Sequence, residues 1–136
     1  MSTVLLTGFE PFAGDQTNPS GDAVVRLGAV WNGPARLVTA VLPVDFARAG
    51  AELIELVATH RPDVVIATGL AGGRDAITPE RIAVNLRDAR IPDNAGHQPV
   101  DTASIPGAPL AYASSLPVKA IATEIAASGI PASVSI

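Results

Sequence analysis

The chain has 136 residues, the usual size of one compact domain, and 48% of them are hydrophobic, enough to build a core. A formal net charge of −4, with Lys119 as the single lysine, offers no basic patch and argues against nucleic acid or an anionic membrane as a partner. The absence of cysteine excludes disulfides, thiolate metal sites and thiol chemistry by these residues alone.

In chain order, Thr3 to Thr7 is β-branched and apolar and reads as a buried strand running into the turn Gly8-Phe9-Glu10-Pro11-Phe12. Asn18-Pro19 supplies a capping side chain and a first-turn proline, so a helix with Ala23, Val24 and Leu27 on its apolar face follows, with Gly28 as its expected stop. Arg36 to Val44 is a second β-rich run. Asp45 then caps a helix carrying Phe46, Ala49, Leu53, Leu56 and Val57, which stops before Pro62. Asp63 to Gly69 is a run of branched residues bounded by turn formers, the pattern of a strand covered on both faces. The segment Ile77 to Leu86 reads as another strand, and the polar, proline-rich stretch Asp88 to Pro109 as a long loop, either functional or mobile. A helix over Pro117 to Ser128 ends at Gly129, and Pro131 to Ile136 reads as a last strand within which the chain ends.

Alternating strands and helices predict a single α/β domain over residues 1–136, a three-layer α/β/α sandwich with a largely parallel, mixed central sheet. No stretch reaches the ~20 apolar residues that span a bilayer, and the N-terminus lacks a basic leader, so no membrane partner and a cytoplasmic setting are expected.

In open α/β sheets ligands bind beyond the carboxyl ends of the strands, which directs attention to the loops after the first and third. One carries Phe9 and Phe12 in a turn; the other, Gly69-Leu70-Ala71-Gly72-Gly73-Arg74, exposes backbone donors and acceptors. Each loop either touches a ligand or serves only tight geometry and core closure, and neither glycine run matches a nucleotide-binding signature. Glu80 either orients an imidazole or pairs with Arg74, Arg81 or Arg87; Arg90 either donates to a developing oxyanion or bridges a carboxylate. His60 suits a helix cap, and His97, between Asp93 and Asp101, matches no standard ligand spacing. No metal and no cofactor are expected.

Several of these segments together resemble one family, the pyroglutamyl peptidases of type I. The resemblance is carried by Gly8-Phe9-Glu10-Pro11-Phe12, Asn18-Pro19, Leu42-Pro43-Val44, Gly69-Leu70-Ala71-Gly72-Gly73-Arg74, Glu80-Arg81-Ile82-Ala83-Val84-Asn85 and Asp88-Ala89-Arg90-Ile91-Pro92-Asp93-Asn94. It continues through Pro106-Gly107-Ala108-Pro109 and Ser115-Leu116-Pro117, collinear with what resembles the family's N-terminal two-thirds. The resemblance implies a Cys-His-Glu triad whose glutamate falls on Glu80, with Arg90 beside the oxyanion. It implies Phe9, Phe12 and backbone groups near Leu70 and Ala71 around the pyroglutamyl ring, Asn18 supporting either the first loop or the ring, and a homo-oligomer acting on peptides with N-terminal pyroglutamate. The resemblance implies that the family's cysteine lies in a segment beginning just after Ile136 and its histidine further on, so neither His60 nor His97 matches, and the chain is expected to be truncated at its C-terminus. The alternative is a short, non-cleaving paralogue that binds pyroglutamyl peptides or a partner. A nucleoside or sugar-phosphate enzyme would need a phosphate loop that is absent, and a bare structural domain leaves the two phenylalanines unexplained.

Overall fold

A computed structural model describes residues 1–136 in eight elements: β1 (Thr3–Phe9), α1 (Pro19–Val30), β2 (Arg36–Leu42), α2 (Ala49–His60), β3 (Val64–Ala67), β4 (Ile82–Val84), β5 (Ala111–Ala113) and α3 (Val118–Ala127). The chain forms two compact units, residues 1–70 with 90–98, and residues 71–89 with 99–136.

The first unit is a three-stranded parallel sheet in the order β2-β1-β3. Residues 3–9 of β1 run in register with 36–42, and 4–7 with 64–67. The connection from β1 moves to one side and the next returns across β1 to the other. Right-handed crossovers in opposite directions put α1 and α2 on opposite faces, giving the α/β layering expected from the sequence. As the middle strand, β1 is covered on both sides: Leu5 and Thr7 are wholly buried, and Leu6, Val24 and Leu42 complete this unit's apolar core.

Helix α1 begins where Asn18, in an extended conformation, accepts a hydrogen bond from the Ser20 N–H, with Pro19 at the first helical position. Gly8 and Gly21 let the helix start lie directly on the strand, because a β-carbon on either would overlap the backbone carbonyl of Ser20 or Phe9. Gly28 does not stop the helix, which continues to Val30. Its missing side chain instead makes room for Thr39 of β2. Asp45 also caps something other than expected. Its carboxylate accepts from the Ala47 and Arg48 N–H groups in a turn, and α2 starts only at Ala49. The helix ends at Arg61, left-handed at φ 45°, just before Pro62.

In the second unit the expected strand 77–86 divides into two ladders. Residues 77–81 pair in parallel with 131–135 through bridges at Ile77 and Glu80, whereas β4 pairs antiparallel with β5. Arg81 is the crossing point: its N–H donates to Ser135 and its carbonyl accepts from Ser114. Strand β5 had no counterpart among the sequence expectations. The loop after β4 is tied down by Asn85, whose side chain accepts from the Ile105 N–H and donates to the Ile105 and Ala108 carbonyls. Paired backbone bonds between Arg87 and Thr102 hold its base. Helix α3 buries Ala122 and gives way to Gly129 at φ 89°. No helix is long and apolar enough to cross a membrane.

Candidate active site

The carboxyl ends of the three parallel strands converge on one cavity of about 170 Å³. It is lined by Phe9 at the end of β1, Phe12 and Asn18 from the loop after it, Val44 just past β2, and Gly69 and Leu70 just past β3. Because the sheet reverses its winding direction at β1, this is the position where open α/β sheets take ligands. Apolar side chains and aromatic rings dominate the lining, and none of its six residues is charged.

Asn18 lines the cavity, yet its amide is engaged by the protein. It is 2% exposed, its Oδ1 accepts from the Ser20 N–H and hydroxyl at 3.0 and 2.8 Å, and its Nδ2 donates to the Glu10 carbonyl at 3.0 Å. Its task in this geometry is to fix the first loop against the start of α1. At the end of β3, both the N–H and the hydroxyl of Thr68 donate to the Thr7 carbonyl, which sets the direction in which Gly69 and Leu70 leave the sheet.

Sequence reasoning passed over the residues that join the loops behind this cavity. Glu10 Oε1 accepts from the Val44 N–H at 3.1 Å and from Asn94 Nδ2 at 3.0 Å, while Asn94 Nδ2 also donates to the Pro11 carbonyl at 2.9 Å. Asp93, its side chain only 2% exposed, accepts from the N–H groups of Phe46, Ala95 and His97. Desolvation works to raise the Asp93 carboxyl, but these three backbone donors and the neighbouring His97 outweigh it and hold the group below the ordinary carboxylate range. Val44 was visible as the last residue of a predicted strand; the rule that singled out the first and third strand ends applies equally to the second.

Asp45, Asp93 and His97 place ligand-type atoms within 4.8 Å of one another. The carboxylates already accept backbone N–H groups, so the cluster is accounted for as loop-tying turns. Arg90 belongs to the same unit, is exposed, and takes part in none of the chain's ion pairs.

The second unit holds Ala71 and Glu80. The Ala71 carbonyl accepts from the Arg74 N–H at 3.3 Å, closing the glycine turn. Arg74 Nη1 donates to Glu80 Oε1 at 2.9 Å, to the Thr78 hydroxyl at 2.6 Å and to the Ser135 hydroxyl at 3.5 Å. Both partners of the Arg74–Glu80 pair are near half-exposed, and the strand-like pairing with residues 131–135 fixes the Glu80 backbone.

The family model for pyroglutamyl peptidase matches residues 2–136. A pyrrolidone-carboxylate peptidase of Bacillus velezensis is 52% identical over 132 residues, covering 97% of this chain and 61% of that protein. Among solved structures, pyroglutamyl peptidase I of Bacillus amyloliquefaciens superposes with a TM-score of 0.93 at 50% identity, covering 99% of this chain and 66% of that one. A mutant pyrrolidone carboxyl peptidase of Pyrococcus furiosus gives 0.93 at 47% identity, covering 98% and 64%. The chain thus spans less than two-thirds of the length of these relatives.

Proposed function

Because this chain belongs to the pyroglutamyl peptidase family, we propose that it forms the ring-binding part of a cysteine-type peptidase that removes N-terminal pyroglutamate from peptides. The observation that carries this reading is the uncharged cavity at the strand ends, with Phe9, Phe12, Val44 and Leu70 as apolar walls. A pyroglutamyl end is a flat, neutral lactam. An ordinary peptide amino terminus carries an ammonium, and desolvating it without a carboxylate partner costs several kcal/mol. An uncharged pocket therefore selects the lactam by leaving the ammonium unsatisfied. Its volume of about 170 Å³ suits one small ring, since sites for drug-sized molecules run to about 300–1,000 Å³.

The finer roles follow from the same reading. A cysteine thiolate attacks the carbonyl that joins pyroglutamate to the next residue, a histidine serves as base and then acid, and water releases the acyl group. Glu80 holds that histidine in its useful tautomer, Arg90 stabilises the tetrahedral oxyanion, and backbone groups at Leu70 and Ala71 read the lactam. No cysteine occurs among these 136 residues, so the nucleophile must be supplied by further chain, both units being read as parts of one peptidase domain. A thiol nucleophile also suits a reducing, cytoplasmic setting. Self-association is supported by exposed apolar side chains such as Val84, Leu110 and Tyr112. The same lack of cysteine favours a second reading, a non-cleaving protein that binds pyroglutamyl peptides.

Intact mass and release of a fluorophore from a pyroglutamyl amide, measured together on protein from the natural reading frame, separate the two. A product heavier than these residues that releases the fluorophore and is silenced by a thiol alkylator supports the peptidase. A product of these residues alone that binds the amide without releasing it supports the binder. Failure of either product to bind would overturn the ring-pocket reading itself.

A further inference from the structure

Glu10 sits between Phe9 and Phe12 in sequence but is not among the residues that line the cavity. Its backbone N–H donates to the Leu42 carbonyl at 3.0 Å, and its carbonyl accepts from Asn18. Its carboxylate reaches across to the Val44 N–H, and the Val44 carbonyl in turn accepts from the Asn94 N–H at 3.0 Å. Asn94 then returns to Glu10 Oε1 and the Pro11 carbonyl. These bonds form a closed ring that joins the aromatic wall of the cavity to the Val44 wall, with Glu10 Oε1 the one atom bonded to both Val44 and Asn94.

We infer that Glu10 is a positioning and specificity-determining residue: through Oε1 it fixes the Val44 wall against Phe9 and Phe12, and so sets the ring size that the cavity accepts. The inference rests on the lactam reading of the pocket. One oxygen that accepts from both segments, at 3.1 and 3.0 Å, suits Glu10 to hold two loops at a fixed spacing. Without it, the Val44 segment keeps its backbone bond to Asn94 but loses its spacer, and the cavity relaxes toward larger rings.

The test is titration of the 136-residue chain with 2-pyrrolidone and with 2-piperidone, the lactam larger by one methylene, followed through the amide resonances of Gly69 and Leu70. The wild type favours 2-pyrrolidone by about tenfold, the lower range for one methylene in an apolar pocket. Glu10→Ala brings that ratio close to one, and Glu10→Gln, which keeps an oxygen acceptor, restores most of it. General weakening of the fold would lower both affinities together and leave the ratio in place, so an unchanged ratio in Glu10→Ala overturns the role of Glu10 while the lactam reading stands. A wild type that binds neither lactam overturns both. Asn94→Ala provides a second route to the same outcome, since it removes one donor to Oε1 and leaves the carboxylate, and it too must lower the ratio.

Discussion

At Asp93 a carboxylate with 2% of its side chain exposed accepts three backbone N–H groups, and its acidity is a consequence of that work. Burial alone would raise the carboxyl, but the donors and His97 carry it net below its ordinary value of 3.8. A folded-state value below the unfolded one means that the fold binds the ionised form preferentially. The resulting stabilisation is fully present above 3.8 and is lost as the pH falls through the lowered native value. Urea midpoints of wild type and Asp93→Asn, measured from neutral pH downward, check the sign. The wild type starts the more stable, its advantage shrinks below pH 3.8, and it vanishes once the native carboxyl protonates; a pH-independent difference would contradict the assignment. From sequence Asp93 was given no structural task of its own, because the donors it serves include the N–H of Phe46, distant in the chain. Asn18 was more legible, since its capping bond is to Ser20, two residues away.

At the scale of elements, Gly28 shows a local rule giving way to packing. A glycine near the end of an apolar stripe predicts a stop, yet α1 runs on to Val30 and Gly28 lies against β2. A β-carbon there would come within 2.9 Å of Thr39 Oγ1 and 3.2 Å of its Cγ2. Rotating the threonine still leaves one of its two branches toward the helix, and β-branched side chains are stiff about that bond. Two effects therefore oppose each other in Gly28→Ala: overpacking costs about 1–3 kcal/mol, and alanine in a helix interior gains about 1 kcal/mol over glycine. The expected result is destabilisation by about 1 kcal/mol in the wild type. In the Thr39→Ala background the clash is gone and the same substitution stabilises. Chemical unfolding of the four proteins gives the interaction, and equal effects in both backgrounds would rule out the steric explanation. Elements with a full local pattern, such as β1 and α3, could be read directly; β3 was placed correctly, but as the edge strand it alternates half-buried and exposed residues and is not covered on both faces as expected. Strand β4 was read only as part of a longer strand over 77–86, and the three-residue β5 was not read at all, because it exists through pairing with β4 some 30 residues away and leaves no periodic trace of its own.

Across the whole chain, the cavity at the strand ends belongs to the first unit and Glu80 to the second, so the roles proposed for them draw on different stretches of sequence. The cavity was foreseeable from strand ends alone, because a parallel sheet fixes where its loops emerge. The partner of Glu80 was not, because an acid beside several arginines has the same local signature whether it serves catalysis or an ion pair. The structure does pair it with Arg74, through Oε1 at 2.9 Å. Both side chains are near half-exposed, and pairs of that kind contribute only about 0–1 kcal/mol. Glu80→Gln should therefore leave the unfolding midpoint almost unchanged, and any large effect on turnover must come from chemistry. In the longer, cysteine-bearing protein that the proposed function requires, an acid orienting an imidazole is worth about 10²–10⁴-fold in kcat. KM for a pyroglutamyl amide should move little, since the ring walls do not include Glu80. Steady-state kinetics beside a urea titration test the division: a fall in kcat with KM and stability preserved assigns Glu80 to the reaction. A kcat within twofold of wild type would leave it as a surface ion pair and move the search for the third catalytic member elsewhere.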